Sequence, residues 1–227
     1  MARIGRFLLL AFIPVLLLGK STVKLEVNDF LDKIQKFQEN IRTLKVTFTQ
    51  TNDFKMLTKP EVLKGTIFIK KPATALYLYE HPDKLYYLVK DGELLVYNPT
   101  KKEATVQDIE RYQNKIMKYM GLSTPFKELE KKFDVVMTEE GEETAHLSFT
   151  PKKHSLAKKL SNLDFWVNEK DLTVKEIEIS EAEGDKVRFE FSEWQINSNF
   201  DEKVFDIDLP KGIKIKRSGI NVKEPFS

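Results

Sequence analysis

The side chains with the widest chemical range in this chain are three histidines, His81, His146 and His154. No two of them stand at the spacing that puts a pair of zinc ligands on one helix face. There is no cysteine, hence no thiolate ligand and no thiol nucleophile. His81 lies in Glu80-His81-Pro82-Asp83, where a carboxylate beside an imidazole could act as a general acid–base pair. A polar turn ahead of proline accounts for the same four residues. The chain has no G-x-S-x-G elbow, no Walker loop and no G-x-G-x-x-G turn. The acidic run Glu139-Glu140-Gly141-Glu142-Glu143 reads as an exposed turn marked by its glycine, and Lys152-Lys153 and Lys158-Lys159 read as solvated faces. The sequence therefore points away from catalysis. No catalytic residue, metal or cofactor is expected, the chain is not read as an enzyme, and the chemistry to look for is binding.

A binding surface needs a core to hold it. At 227 residues, with 41% apolar and 32% charged residues, the chain suits one globular domain. Its first residues differ from the rest. Arg3 and Arg6 precede an apolar run over 7–18, and Gly19 and Ser21 follow as a small-x-small pair. That order predicts a cleaved secretory signal over 1–21, with the domain over 22–227. A retained anchor is the alternative, because Lys20 sits inside the cleavage box. No later stretch is long and apolar enough to span a bilayer as a helix. Removing Arg3, Arg6 and Lys20 takes the 37 basic residues to 34, against 35 acidic ones. So even a balance gives no reason to expect nucleic acid binding.

Phe30, Ile34, Phe37, Ile41 and Leu44 recur at three- and four-residue steps and predict an amphipathic helix over 28–44. From Val46 the period becomes two, and strands are predicted over 46–50, 63–69, 73–79, 84–89 and 94–97, with Asp91-Gly92 as a hairpin turn. Helical spacing returns at Ile109, Tyr112, Ile116 and Tyr119, and Thr124-Pro125 predicts the start of a short helix reaching Phe133. Strands follow over 135–137, 145–150, 163–168, 172–179 and 186–191, with a last one over 203–207.

Several early strands are apolar on both faces. Leu76 and Leu78 alternate with Ala75, Tyr77 and Tyr79, and 85–89 and 94–97 behave alike. An antiparallel sheet of this kind must cover something on both sides. Either elements pack on both faces as a solid core, or one face lines a cavity. The pattern alone leaves both open.

The ordered motifs resemble a known family, the periplasmic outer-membrane lipoprotein carrier LolA. The likeness runs from the first helix into Val46-Thr47-Phe48-Thr49-Gln50 and through Gly65-Thr66-Ile67-Phe68-Ile69-Lys70-Lys71-Pro72. It continues in His81-Pro82-Asp83, Asp91-Gly92, Val96-Tyr97-Asn98-Pro99, Thr124-Pro125-Phe126, Leu147-Ser148-Phe149-Thr150-Pro151-Lys152 and the closing 205–212 segment. The resemblance implies an α+β fold, an open antiparallel β-barrel wrapped round a hydrophobic cavity and covered by an N-terminal helix and short lid helices. It also implies a monomer in the periplasm that carries acylated lipoproteins from an inner-membrane lipoprotein-releasing ABC transporter to an outer-membrane acceptor. A LolA-like lipid- or partner-binding regulator of the envelope is the alternative.

Placed on that fold, Phe48, Ile67, Ile69, Tyr77, Tyr79, Tyr87, Leu95, Tyr97 and Phe149 are the expected cavity lining. Ile116, Met117, Met120, Phe126 and Leu129 are the expected lid, where unbranched methionines suit a changing partner. The family has arginine before its proline; here Lys71 stands there and is expected to donate a hydrogen bond to a lid carbonyl. Phe54, Met56 and Leu57 form an apolar loop among polar residues. They are expected to fold back onto the barrel rim, the alternative being a contact with membrane or partner.

Overall fold

The structure, a computed structural model, describes residues 19–113, 117, 126–141 and 143–219. Most of the expected signal segment, Thr124-Pro125, and the lid positions Ile116 and Met120 lie outside the described residues.

One helix, α1 (Gly19–Glu39), precedes a twelve-stranded sheet. Its strands are β1 (Thr43–Asp53), β2 (Glu61–Lys70), β3 (Thr74–His81), β4 (Leu85–Lys90), β5 (Glu93–Asn98), β6 (Glu103–Asp108), β7 (Phe133–Glu139), β8 (Thr144–Pro151), β9 (Leu160–Asn168), β10 (Val174–Glu181), β11 (Lys186–Ile196) and β12 (Lys214–Gly219). Two short helices, α2 (Phe126–Glu130) and α3 (His154–Ala157), lead into β7 and β9. The order across the sheet is β12-β6-β5-β4-β3-β2-β1-β11-β10-β9-β8-β7, so β12 and β7 are edges and the barrel stays open. Every neighbouring pair is antiparallel except β12 with β6.

The first helix begins earlier and ends earlier than its periodicity suggests. Leu44 already belongs to β1, where Leu44, Val46 and Phe48 alternate as buried residues. Both readings satisfy the apolar spacing, and pairing with β2 and β11 decides for strand. Phe133 likewise opens β7 instead of closing a helix. Asp91 and Gly92 both take positive φ, as a two-residue type I′ turn requires, and join β4 to β5.

The expected strand over 203–207 is a 3-10 turn, Glu202–Phe205, capped by Asp201, whose side chain accepts from the Lys203 N–H. Here tertiary packing overrides alternation. Phe205, with Phe200, Val204 and Ile207, packs on Phe68, Leu76 and Leu88, which project from the convex face of β2–β4. Exposed ion pairs Lys70–Glu202 at 2.6 Å and Lys90–Asp206 at 2.8 Å flank this strap. Such pairs contribute about 0–1 kcal/mol; burying Phe205 contributes roughly 1.5–3 kcal/mol. Beyond the strap the chain adds β12 parallel to β6.

The concave face carries two clusters. Val27, Leu31 and Ile34 of α1 close over β7–β10 together with Phe126, Leu129, Phe133, Phe149 and Phe165. The other cluster covers the concave side of β1–β5 and β11. A bulge on β11 shapes it: Lys45 faces Gln195 but Thr47 faces Ser192, so β11 carries one extra residue, and Glu193 takes positive φ. The extra residue returns Trp194 to the same face as Phe191.

Gly65 fits where β1, β2 and β3 meet. A Cβ there would lie 2.1 Å from the Leu78 carbonyl oxygen and 2.9 Å from Cζ of Phe48. Gly65→Ala must push two paired strands apart, so a loss of about 2–3 kcal/mol is expected, read as a lowered midpoint in urea unfolding at unchanged slope. A midpoint equal to wild type would contradict this packing.

Candidate functional site: the aromatic concave face

Period-two alternation on adjacent strands brings one side-chain set to the concave face of β1–β4 and β11. Phe48, Ile67 and Ile69 form its buried floor. Tyr77, Tyr79 and Tyr87 rise from β3 and β4, and Phe189, Phe191 and Trp194 from β11, all half-buried. The rings pack edge to face or tilted: Phe48–Tyr79 at 5.1 Å between centroids, Tyr79–Tyr87 at 5.9 Å, Phe48–Phe189 at 6.1 Å and Phe191–Trp194 at 6.0 Å. Burial pushes the Tyr79 phenol up to about 12, with Tyr87 adding to the effect. Burial, then Tyr79, raises Tyr77 further. Both phenols are therefore neutral at physiological pH, and the surface offers apolar area without charge.

One end of this face is polar. The Tyr79 hydroxyl donates to Gln50 Oε1 at 2.8 Å, Gln50 Nε2 donates to Asn52 Oδ1 at 2.7 Å, and Asn52 Nδ2 donates to Glu61 Oε2 at 3.0 Å. Asn52 is buried, and this chain satisfies it. An apolar floor ending in an ordered polar row suits an amphipathic ligand, its aliphatic part on the rings and its polar part at the row.

The other end is closed by Lys71. Its Nζ donates to the Gln38 carbonyl, in the last turn of α1, at 2.6 Å, and its N–H donates to the Arg42 carbonyl at 2.8 Å. Burial pushes the Lys71 ammonium below its ordinary value while Glu39 pulls it back up. A cation at a helix C-terminus also complements the helix dipole.

Of the residues expected to line the cavity, Phe48, Ile67, Ile69, Tyr77, Tyr79 and Tyr87 share this face. Leu95 and Tyr97 do not. Leu95 pairs with Leu88 and packs in the convex cluster, while Tyr97 pairs with Tyr86 and stacks on it at 5.6 Å. The two-sided apolar pattern of β5 hides which set faces inward, and register with β4 decides it. Phe149 is on the concave side but sealed among Phe126, Phe133 and Phe165, at 5.8, 6.4 and 5.4 Å. Phe126 and Leu129 seal that same half, whereas Met117 is buried in the cluster of the open half. The expected bond from Lys71 to a lid helix is instead a bond to α1, because β2 ends beside the helix C-terminus. Gln113 makes the link from the segment after β6, donating to the Ala73 carbonyl at 2.8 Å.

Sequence reasoning missed Gln50, Asn52, Phe189, Phe191 and Trp194 as parts of one surface. The alternation of Val187, Phe189 and Phe191 marked a buried face, but only the β1–β11 pairing shows that it adjoins Phe48. The loop was expected to fold back. Phe54 is half-buried, but Met56 is 87% exposed, so the apolar tip stands away from the rim. None of the histidines joins the concave face. His81 and His154 are exposed, and His146 Nε2 bonds Asp164 Oδ1 at 2.8 Å beneath the stacked Trp166 ring, among the polar residues of β7–β9.

Solved structures of low identity share this sheet. An uncharacterized conserved protein from Thermus thermophilus superposes with a TM-score of 0.55 at 9% identity, covering 85% of this chain and 99% of that one. The MucA/MucB complex of Pseudomonas aeruginosa contains a chain that superposes with a TM-score of 0.52 at 10% identity, covering 81% of this chain; the match spans 61% of that chain's length. A search of the curated proteins finds no match. The family model described as the outer membrane lipoprotein carrier protein LolA matches residues 39–208, from the end of α1 through the strap, and on that match the chain belongs to the LolA family.

Proposed function

We propose that this protein is a periplasmic carrier of acylated lipoproteins. In this reading residues 1–21 are removed on export, 22–227 form one carrier domain, and the acyl chains lie on the aromatic floor with the polar row at their head end. The observation that carries the proposal is the half-buried ring set of β3, β4 and β11 on the concave face, in a member of a lipoprotein-carrier family. No bond is made or broken. Affinity comes from burying methylenes at about 0.8 kcal/mol each. Release then requires that part of this be spent on rearranging the cover, which makes an inner-membrane donor and an outer-membrane acceptor necessary partners. The alternative is an envelope regulator that takes a protein segment. MucB, whose fold this chain shares, was crystallised with MucA.

An environment-sensitive apolar dye is expected to bind and to be displaced by a diacylated peptide. Tyr77→Glu puts a carboxylate among the rings and is expected to weaken dye binding at least about tenfold, since a buried unpaired charge is costly. Leu95→Glu is expected to lower stability but leave dye affinity nearly unchanged, because Leu95 lies on the other face. A folded Tyr77→Glu protein that binds dye like wild type would reject the concave site.

Lys71→Leu removes the tie between the β2–β3 corner and the last turn of α1. The expected result is faster amide exchange over 36–42 and faster dye release, with global stability down by only about 1 kcal/mol. Exchange and release equal to wild type would show that the tie does not hold the cover.

A further inference from the structure

Strand direction sorts the connections of this sheet into two ends. The β1–β2, β3–β4, β5–β6, β8–β9 and β10–β11 connections all lie at one end, as the antiparallel registers require. That end is basic. Lys55 and Lys59 stand in the β1–β2 tip, Lys101 and Lys102 in the β5–β6 turn, and four lysines between 152 and 159 precede β9. Asp83, Glu183 and Asp185 are the acidic residues within these connections. The described residues of the connections at the other end, 40–42, 71–73, 91–92, 109–113, 140–141 with 143, and 169–173, include more acidic than basic side chains. The near-neutral total thus conceals a separation of charge along the strands.

The basic end also carries the most exposed large apolar side chain among the described residues. Met56 is 87% exposed, and Leu57 and Val62 beside it are 40% and 42% exposed. The tip is built, not loose. The Leu57 N–H donates to the Phe54 carbonyl at 2.8 Å and closes a turn, Phe54 is half-buried, and Asp185 accepts from the Lys55 N–H at 2.8 Å. Asp185 is thereby engaged in holding the tip. A fixed turn that presents methionine and leucine outward beside Lys55 and Lys59, at the basic end of the sheet, matches a surface with negative charge outside and hydrocarbon just beneath.

We propose that this end of the sheet docks on an anionic lipid bilayer, with Met56 and Leu57 entering the interface and the lysines of this end facing the headgroups. The polar row Tyr79–Gln50–Asn52–Glu61 ends the concave face at this same end, so docking brings the carrier's surface next to the membrane. The inference extends the carrier reading, but its test is independent of dye binding, so either can fail alone.

The test is co-sedimentation of the protein, purified in the form the cell produces, with vesicles of phosphatidylglycerol and phosphatidylethanolamine or of phosphatidylcholine alone. Binding is expected only to the anionic vesicles and is expected to fall at high salt. Met56→Asp, at a position open to solvent, should leave folding intact and reduce binding about tenfold. The fluorescence of Met56→Trp should shift to shorter wavelength on anionic vesicles. Because both variants share the wild-type N-terminus, a difference reports on the tip. Equal sedimentation of wild type and Met56→Asp, or equal binding to both vesicle types, would overturn the proposal. So would a Met56→Trp spectrum unmoved by vesicles, which would leave the tip as a contact for a protein.

Discussion

The structure depends on covering strands β3–β5 twice. Their side chains are apolar on both faces, and a twisted sheet of that composition is stable in water only if each face is removed from solvent. The chain solves the two sides differently. On the convex side a strap crosses from the end of β11, buries Phe205 on Phe68, Leu76 and Leu88, and continues as β12. On the concave side the rings of β3 and β11 share a cluster with Phe37 of α1 and Met117, and they stay half-buried. One face is closed by its own chain, and the other keeps accessible aromatic area.

This asymmetry follows from what each cover is made of. The strap is held by large aromatic contacts, Phe68–Phe200 at 5.6 Å and Phe200–Phe205 at 5.9 Å, with ion pairs at its margins. The concave cover is held by Lys71 on the α1 terminus and by Gln113 on the Ala73 carbonyl. A few hydrogen bonds, each of about 1 kcal/mol, are easier to exchange than buried phenylalanines. A carrier needs such a difference, because a site lined only by permanent contacts would hold its cargo or never admit it.

Much of this was legible in the residues. The period-two runs located β1–β5 and β8–β11, Asp91-Gly92 located a hairpin, and the two-sided strands showed that each face must be packed or line a cavity. What was not legible is what long-range pairing decides. Leu95 and Tyr97 look like Tyr77 and Tyr87 in the sequence, and only the β4–β5 register sends them to the convex face. β6 and β12 escaped notice because Ala104, Val106 and the basic run of β12 carry little local signal, and their pairing with each other joins residues over a hundred positions apart. Lys71 was placed as a donor at the end of an apolar strand, but its acceptor belongs to α1, whose end the helical periodicity set five residues too late.

The central claim is that the concave face holds acyl chains. The most direct measurement is native mass spectrometry of the protein purified from the envelope of the cells that make it, without detergent. The account expects a population heavier than the apoprotein by the mass of a lipid or acylated peptide, released on gentle activation and absent from Tyr77→Glu. A wild-type protein that appears only as the bare chain, or that keeps the same adduct in Tyr77→Glu, would contradict it.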